Sequence, residues 1–166
     1  MTHNRPRGGW REGIMTAVAV GGFFIIVGII FAVTPDLIGK IVDFFSNITT
    51  VPYPPDNPNS NFFLPAISNP AAHAGFYTAV GQFSLGIGIL QAIILPLRIV
   101  YRSPTRRIAE TVGNLIFWFG AAYLVFALLS LGTLQAWFQF WSVIIILVGV
   151  SVIVRALIHL GARRRK

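Results

Sequence analysis

Four long apolar stretches, separated by polar or basic segments, dominate the hydropathy pattern of this chain. Each stretch holds about 20 to 24 residues, which is enough for a helix to cross the ~30 Å hydrocarbon core of a bilayer. The pattern predicts an all-α, polytopic integral membrane protein: a single membrane domain over residues 1–166, built as a four-transmembrane-helix bundle. The predicted spans are residues 14–33, 75–97, 108–131 and 137–160.

Residues 34–74, between the first two spans, are the only long segment that is neither apolar span nor basic tail. The segment begins with one polar stripe on an otherwise apolar stretch, which predicts an amphipathic helix in the membrane interface or against the bundle. Pro35 suits the first helical turn and Thr34 suits the cap. A bent extension of the first span is the alternative. The stripe consists of Asp36, Lys40, Asp43 and Asn47.

The remainder of this segment, from Val51, is rich in proline, asparagine and aromatic residues. Its many prolines predict an absence of regular structure. Its aromatic content is too high for a solvated linker, so an ordered aromatic cap over the helix ends is expected. Asn47-Ile48-Thr49 also matches the N-glycosylation pattern, although use of the site is left open.

The distribution of charge predicts which side of the membrane each segment faces. Only 11% of the residues are charged, against about 25% in soluble domains. Twelve of the 13 basic residues lie in three clusters, at the two termini and between the second and third spans. By the positive-inside rule, both termini (tails 1–13 and 161–166) are cytoplasmic and residues 34–74 lie outside the cell membrane or its equivalent. The clusters at the ends of the spans account for the net charge of +8, so nucleic-acid binding is not expected.

Small residues recur at seven-residue spacing in every span. Such stripes let helix backbones approach closely in lipid. They predict helix packing within the bundle, and an alternative assigns one stripe to another membrane subunit or to a second copy of the chain. The stripes are Gly21 and Gly28, Gly81 and Gly88, Gly113 and Gly120, and Ser142 and Gly149.

Two charged residues, Glu110 and Arg155, fall within the predicted spans. Arg106 lies four residues before Glu110, so a local ion pair is expected. Arg155 lies near enough to the cytoplasmic end to reach the headgroups, or to pair with Glu110 across the bundle. Structural roles are favoured over a proton relay.

Uncharged polar residues in the second and third spans predict either links between helices or a pocket. Gln82 matches Tyr123 in depth and Gln91 matches Asn114, but nine residues turn a helix by about half a revolution, so at most one of these bridges is expected. The alternative is a cavity for a lipid, quinone or similar molecule. Its predicted lining is Gln82, Gln91, Asn114, Trp118 and Tyr123, with Tyr53, Phe62, Phe63 and Tyr77 as lid residues.

Catalytic and cofactor signatures are sparse. There is no cysteine, which excludes disulfides and thiolate chemistry. His73 and His159 are predicted in opposite leaflets and cannot share one metal or haem. No carboxylate pair, Ser/His/Asp constellation or phosphate loop stands out. We therefore expect no metal and no cofactor, and an enzyme is not favoured.

Three functions remain open at the level of sequence. The favoured one is a non-catalytic subunit or scaffold that acts through helix packing and its outer cap, with the lipid bilayer as its first partner. The second is binding or transfer of an apolar ligand within the bundle. The third is an oligomeric channel or transporter, which is weakened by the absence of a charge at mid-membrane depth.

Overall fold

The computed structural model describes residues 8–57 and 59–163, and these are mostly helical. They contain five α-helices, of which α1, α3, α4 and α5 are long and apolar enough to cross a membrane, as predicted. The predicted tails lie partly outside the described residues, at positions 1–7 and 164–166. The elements are α1 (Gly8–Val33), α2 (Leu37–Ser46), β1 (Ile48–Pro52), β2 (Phe63–Ile67), α3 (Ala74–Val100), α4 (Thr105–Ala127) and α5 (Leu134–Arg163).

The four long helices pack in a bundle-like row, with α1 against α3, α3 against α4, and α4 against α5. All three packed pairs are antiparallel. Gly22 lies against Leu90 and Ile26 against Gly86, so α1 and α3 run in opposite directions. One end of the row therefore carries residues 34–73, here called the cap segment, together with the α4–α5 connection. The other end carries Arg98, Arg102, Arg106 and Arg107 and is called the arginine end.

The prediction of an absence of regular structure from Val51 onward is wrong, because β1 and β2 form an antiparallel hairpin. Hydrogen bonds from Tyr53 N to Phe62 O and from Ser68 N to Asn47 O flank the paired region. In an antiparallel ladder, bonded and non-bonded residue pairs alternate. Pro65, opposite Thr50, therefore lies at a non-bonded position where no N–H is needed, as does Pro52 opposite Phe63. The prolines are compatible with this register.

The start of α2 also differs from prediction. Asp36, not Thr34, caps α2: its carboxylate accepts a hydrogen bond from Gly39 N at 3.2 Å, and its backbone is left-handed with φ 52°. That break makes α2 a helix of its own rather than an extension of α1. At α4 the cap position is Pro104, and Ser103 provides no side-chain cap.

Candidate functional site

A cluster of aromatic rings around Phe44 holds the cap segment on the long helices. Phe44 is only 8% exposed. Its ring stacks on Phe76 of α3 at 4.2 Å between centroids, and meets Tyr77 edge-on at 6.0 Å. On its other side it lies 6.1 Å from the Trp137 ring of α5. A single side chain of α2 therefore contacts two of the long helices. Its contacts with α3 have the stacked and edge-on geometries that aromatic pairs prefer.

His73 adds a polar contact beside this cluster. The side chain is 4% exposed, and its Nδ1 lies 3.3 Å from a carboxylate oxygen of Asp43. Asp43 belongs to α2 and His73 directly precedes α3, so the contact joins the two elements. It is an ion pair only when His73 is protonated.

The hairpin lies along the first turns of α5. The indole Nε1 of Trp137 donates a hydrogen bond to the carbonyl oxygen of Pro65 at 3.3 Å. The ring of Tyr53 meets Phe138 edge-on, with centroids 5.0 Å apart. Strand β2 and the residue that follows β1 are thereby positioned against α5.

Two concave surfaces flank Phe138, and together they are the candidate site. The first, the apolar groove, has a volume of about 480 Å³ and is lined by residues that include Phe44, Phe45, Leu64, Pro65, Trp137 and Trp141. The second, the polar pocket, has a volume of about 280 Å³ and is lined by residues that include Tyr53, Asp56, Gln135, Gln139 and Ser142. Phe138 lines both.

The two surfaces differ sharply in chemistry. Among residues 8–57 and 59–163, no charged side chain lines the apolar groove. The same residues give the polar pocket one carboxylate, Asp56, two glutamine amides and the hydroxyls of Tyr53 and Ser142, and no basic residue. No protein-family model, curated protein or solved structure matches this chain. The site is therefore interpreted from its own chemistry.

The four predicted lid residues lie in different environments and do not form one lid. Tyr53 lines the polar pocket. Phe62 lies edge-on to Tyr53 at 6.5 Å, and both Phe62 and Phe63 are largely exposed. Tyr77 is buried in the Phe44 cluster, where its hydroxyl has no hydrogen-bond partner. Only Tyr53 among them lines either surface of the candidate site.

The polar residues of α3 and α4 do not converge on one cavity. Gln82 is exposed, and Tyr123 is 71% exposed. Trp118 packs edge-on against Phe83 of α3, at 6.0 Å. Asn114 instead faces α5, where it accepts a hydrogen bond from Arg155. Within residues 8–57 and 59–163, no hydrogen bond joins Gln82 to Tyr123 or Asn114 to the half-buried Gln91.

Near the arginine end, the charged residues of the spans have local partners. Arg106 Nε lies 3.0 Å from a Glu110 carboxylate oxygen, an exposed pair on one face of α4. Arg155 packs its aliphatic chain on Gly113 and donates from Nη2 to Asn114 Oδ1 at 2.9 Å. The side chain of Arg155 therefore packs against α4, and its Nε is buried without a partner.

Glycines of the predicted stripes fall into two groups. On α3 and α4, the space of a missing Cβ is filled by a neighbouring helix. A Cβ on Gly81 would lie 2.6 Å from Phe126, one on Gly88 3.2 Å from Phe119, and one on Gly120 2.7 Å from Leu147. Gly113 is covered by Arg155 in the same way. In contrast, a Cβ on Gly21 or Gly28 of α1, or on Gly149 of α5, would meet no atom of another part of the described chain within 4 Å, and Ser142 lies in the polar pocket.

Sequence reasoning missed the contribution of α5 to the site. Its first turns supply one side of both surfaces, whereas the hydropathy pattern predicts only the start of a span there. A signal was present: Trp137 and Trp141 are four residues apart, and so are Gln135 and Gln139. Residues four apart share a helix face. The start of α5 therefore carries an aromatic face and an amide face, separated by Phe138.

Proposed function

We propose that this chain is a non-catalytic subunit or scaffold of a membrane assembly, which associates with other membrane subunits or a second copy through α1. The supporting observation is the open glycine face of α1. Gly21 and Gly28 lie two turns apart, and a Cβ on either would meet no atom of another part of the described chain within 4 Å, whereas side chains of a neighbouring helix fill that space at Gly81, Gly88 and Gly120. Small residues at such spacing allow close helix approach in lipid.

In this proposal the chain crosses the membrane four times. The arginine end faces the cytoplasm and the cap segment faces outward, because basic residues are retained on the cytoplasmic side. The cap segment holds three aspartates and one lysine, a composition suited to the outer side. An active periplasmic or extracellular reporter fused at the C-terminus, with an inactive cytoplasmic one, would overturn this orientation.

The test of the subunit role is to fill the open face of α1. Gly21→Leu and Gly28→Leu introduce side chains where the chain itself has free space, so the fold is expected to tolerate them. Native mass spectrometry after gentle solubilisation should show a complex for the wild type. We expect the double variant to lose most of that complex, because a leucine holds two backbones apart.

Gly149→Leu is the matched control. It makes the same change at an equally open position on α5, at the other side of the row. The complex should persist in this variant. A wild type that is monomeric under gentle conditions, or α1 variants that associate as well as the control, would contradict the proposal.

A further inference from the structure

The apolar groove and the polar pocket are placed side by side along α5, and their separation is set by one residue. Trp137 and Trp141 face the groove, Gln135 and Gln139 face the pocket, and Phe138 lies between them and lines both. Residues four apart on a helix stack on one face, so each pair extends its surface along the helix axis. The two surfaces are therefore parallel and adjacent.

The hairpin closes both surfaces from the opposite side. Leu64 and Pro65 of β2 wall the groove, and Tyr53 and Asp56, which follow β1, wall the pocket. The Trp137–Pro65 hydrogen bond and the Tyr53–Phe138 ring contact connect these walls to α5. Each surface consequently lies between α5 and the hairpin, and the contacts between these two elements hold its walls together.

The chemistry of the two surfaces suits the two parts of one amphiphile. A groove lined by aromatic and aliphatic side chains accepts a hydrocarbon chain, and the lining residues offer no charge to a polar ligand. The pocket offers the Asp56 carboxylate, two amides and two hydroxyls, which suit a polar head. A hydrocarbon alone would leave the pocket unused, and a small soluble amine would leave the groove unused.

The charge of the pocket selects the head. Asp56 is the only charged residue among the described residues that line it, so a cationic group is favoured. Ser142 donates its hydroxyl hydrogen to the carbonyl oxygen of Phe138 at 2.9 Å, which leaves its oxygen as an acceptor. Carboxylate and hydroxyl oxygens can accept hydrogen bonds from the N–H groups of a primary ammonium. A quaternary ammonium has no N–H group to donate. The amide N–H groups of Gln135 and Gln139 are available to a phosphate.

We propose that these surfaces form one site for a phospholipid with a primary ammonium head, of the phosphatidylethanolamine type. An acyl chain lies in the apolar groove, the ammonium and phosphate lie in the polar pocket, and the molecule passes over Phe138. This site does not depend on the proposed role of α1, since α1 lines neither surface.

The experiment uses the full-length protein in detergent, titrated with three dioleoyl lipids that differ only in head: phosphatidylethanolamine, phosphatidylcholine and phosphatidylglycerol. Native mass spectrometry measures the fraction of chains that retain one lipid. We expect phosphatidylethanolamine to be retained about fivefold more than either other lipid, as one charge-assisted contact at a partly open site predicts.

Variants separate the head from the chain. Asp56→Asn should reduce phosphatidylethanolamine retention to the level of the other lipids, and Gln139→Leu should weaken the retention of all three by removing a phosphate donor. Asp43→Asn is the control for charge: it makes the same change within the cap segment, but Asp43 contacts His73 and does not line the pocket. The lipid preference should survive it.

Trp141→Ala should lower the retention of all three lipids and leave their order unchanged. Ile145→Ala, one turn further along α5 and 70% exposed, lies outside the groove and is its control. Equal retention of the three lipids by the wild type would overturn the site. So would phosphatidylcholine bound as well as phosphatidylethanolamine, or a preference that persists in Asp56→Asn. Circular dichroism of each variant confirms that its helices are intact.

Discussion

Replacement of Phe44 by alanine tests whether one side chain holds the cap segment in place. Phe44 is buried between α3 and α5, where it stacks on Phe76 and contacts Tyr77 and Trp137. The variant removes the ring and leaves both long helices untouched. We expect the cap segment to open more often while the row of long helices stays formed.

The expected size follows from the burial and contacts of the ring. A Phe→Ala change in a packed core costs about 3–5 kcal/mol, which includes the cavity left behind. Phe44 also lines the apolar groove, so loss of its ring widens an existing concave surface instead of leaving a closed cavity, and the lower limit applies. A loss of about 3 kcal/mol corresponds to roughly a 100-fold rise in the open population.

Hydrogen exchange measured by mass spectrometry is the assay, with the amides of β1 as the reporter. Protection there should fall about 100-fold in Phe44→Ala, because exchange of a locally opening segment follows its opening free energy. Protection in the middle of α3 and α4 should change little. Phe45→Ala is the matched control, since the neighbouring ring is 62% exposed and its edge-on contact with Phe44, at 5.4 Å between centroids, is worth about 1 kcal/mol.

The difference in β1 amide protection between Phe44→Ala and Phe45→Ala tests whether burial of the Phe44 ring holds the cap segment in place. If Phe45→Ala opens β1 as much as Phe44→Ala, burial of the Phe44 ring is not what holds the cap segment. If neither variant changes protection, the hairpin is held by α5 alone, through Trp137 and Phe138. A global loss of protection in all helices would show that the cap segment and the row unfold as one unit.

Three further substitutions probe close packing and the buried charge. Gly132→Ala should cost about 2 kcal/mol in thermal or detergent unfolding, because this residue has φ 63° and its Cβ would lie 2.8 Å from the cap-segment backbone. Gly149→Ala, in open space on α5, should be neutral or slightly stabilising in the same assay. Asn114→Ala should cost about 1–3 kcal/mol, because it removes the acceptor of Arg155 Nη2 and leaves that guanidinium poorly satisfied. An unchanged midpoint for Asn114→Ala would indicate that Arg155 is satisfied by lipid or water.

The long helices could be predicted from sequence because their signal is local and strong. Apolar runs of sufficient length identify them without knowledge of any neighbour. The hairpin could not be predicted in this way, because the effect of a proline depends on the partner it faces. Pro65 breaks a strand at a bonded position and is harmless at a non-bonded one, and only the pairing of β1 with β2 decides which applies.

The candidate site was partly hidden for a similar reason. Matching depths along two helices allow at most one bridge, between Gln82 and Tyr123 or between Gln91 and Asn114, but depth does not specify which way a side chain points around the helix. Asn114 instead faces α5 and binds Arg155. The polar pocket combines Asp56, distant in sequence, with Gln135 and Gln139. A site of this kind becomes visible only when the hairpin is placed on α5.

The seven-residue spacing of the glycines predicts helix packing at more positions than the described residues show. A seven-residue repeat specifies that Gly21 and Gly28 share a face, but not which face is turned inward. In a row of helices, α3 has two neighbours and α1 has one, so a stripe on α1 can lie on the open side. The inward contact of α1 uses Gly22 instead, one residue and about 100° further around the helix. No described part of the chain therefore packs on the Cβ side of Gly21 and Gly28, and this open face is the basis of the association proposed for α1.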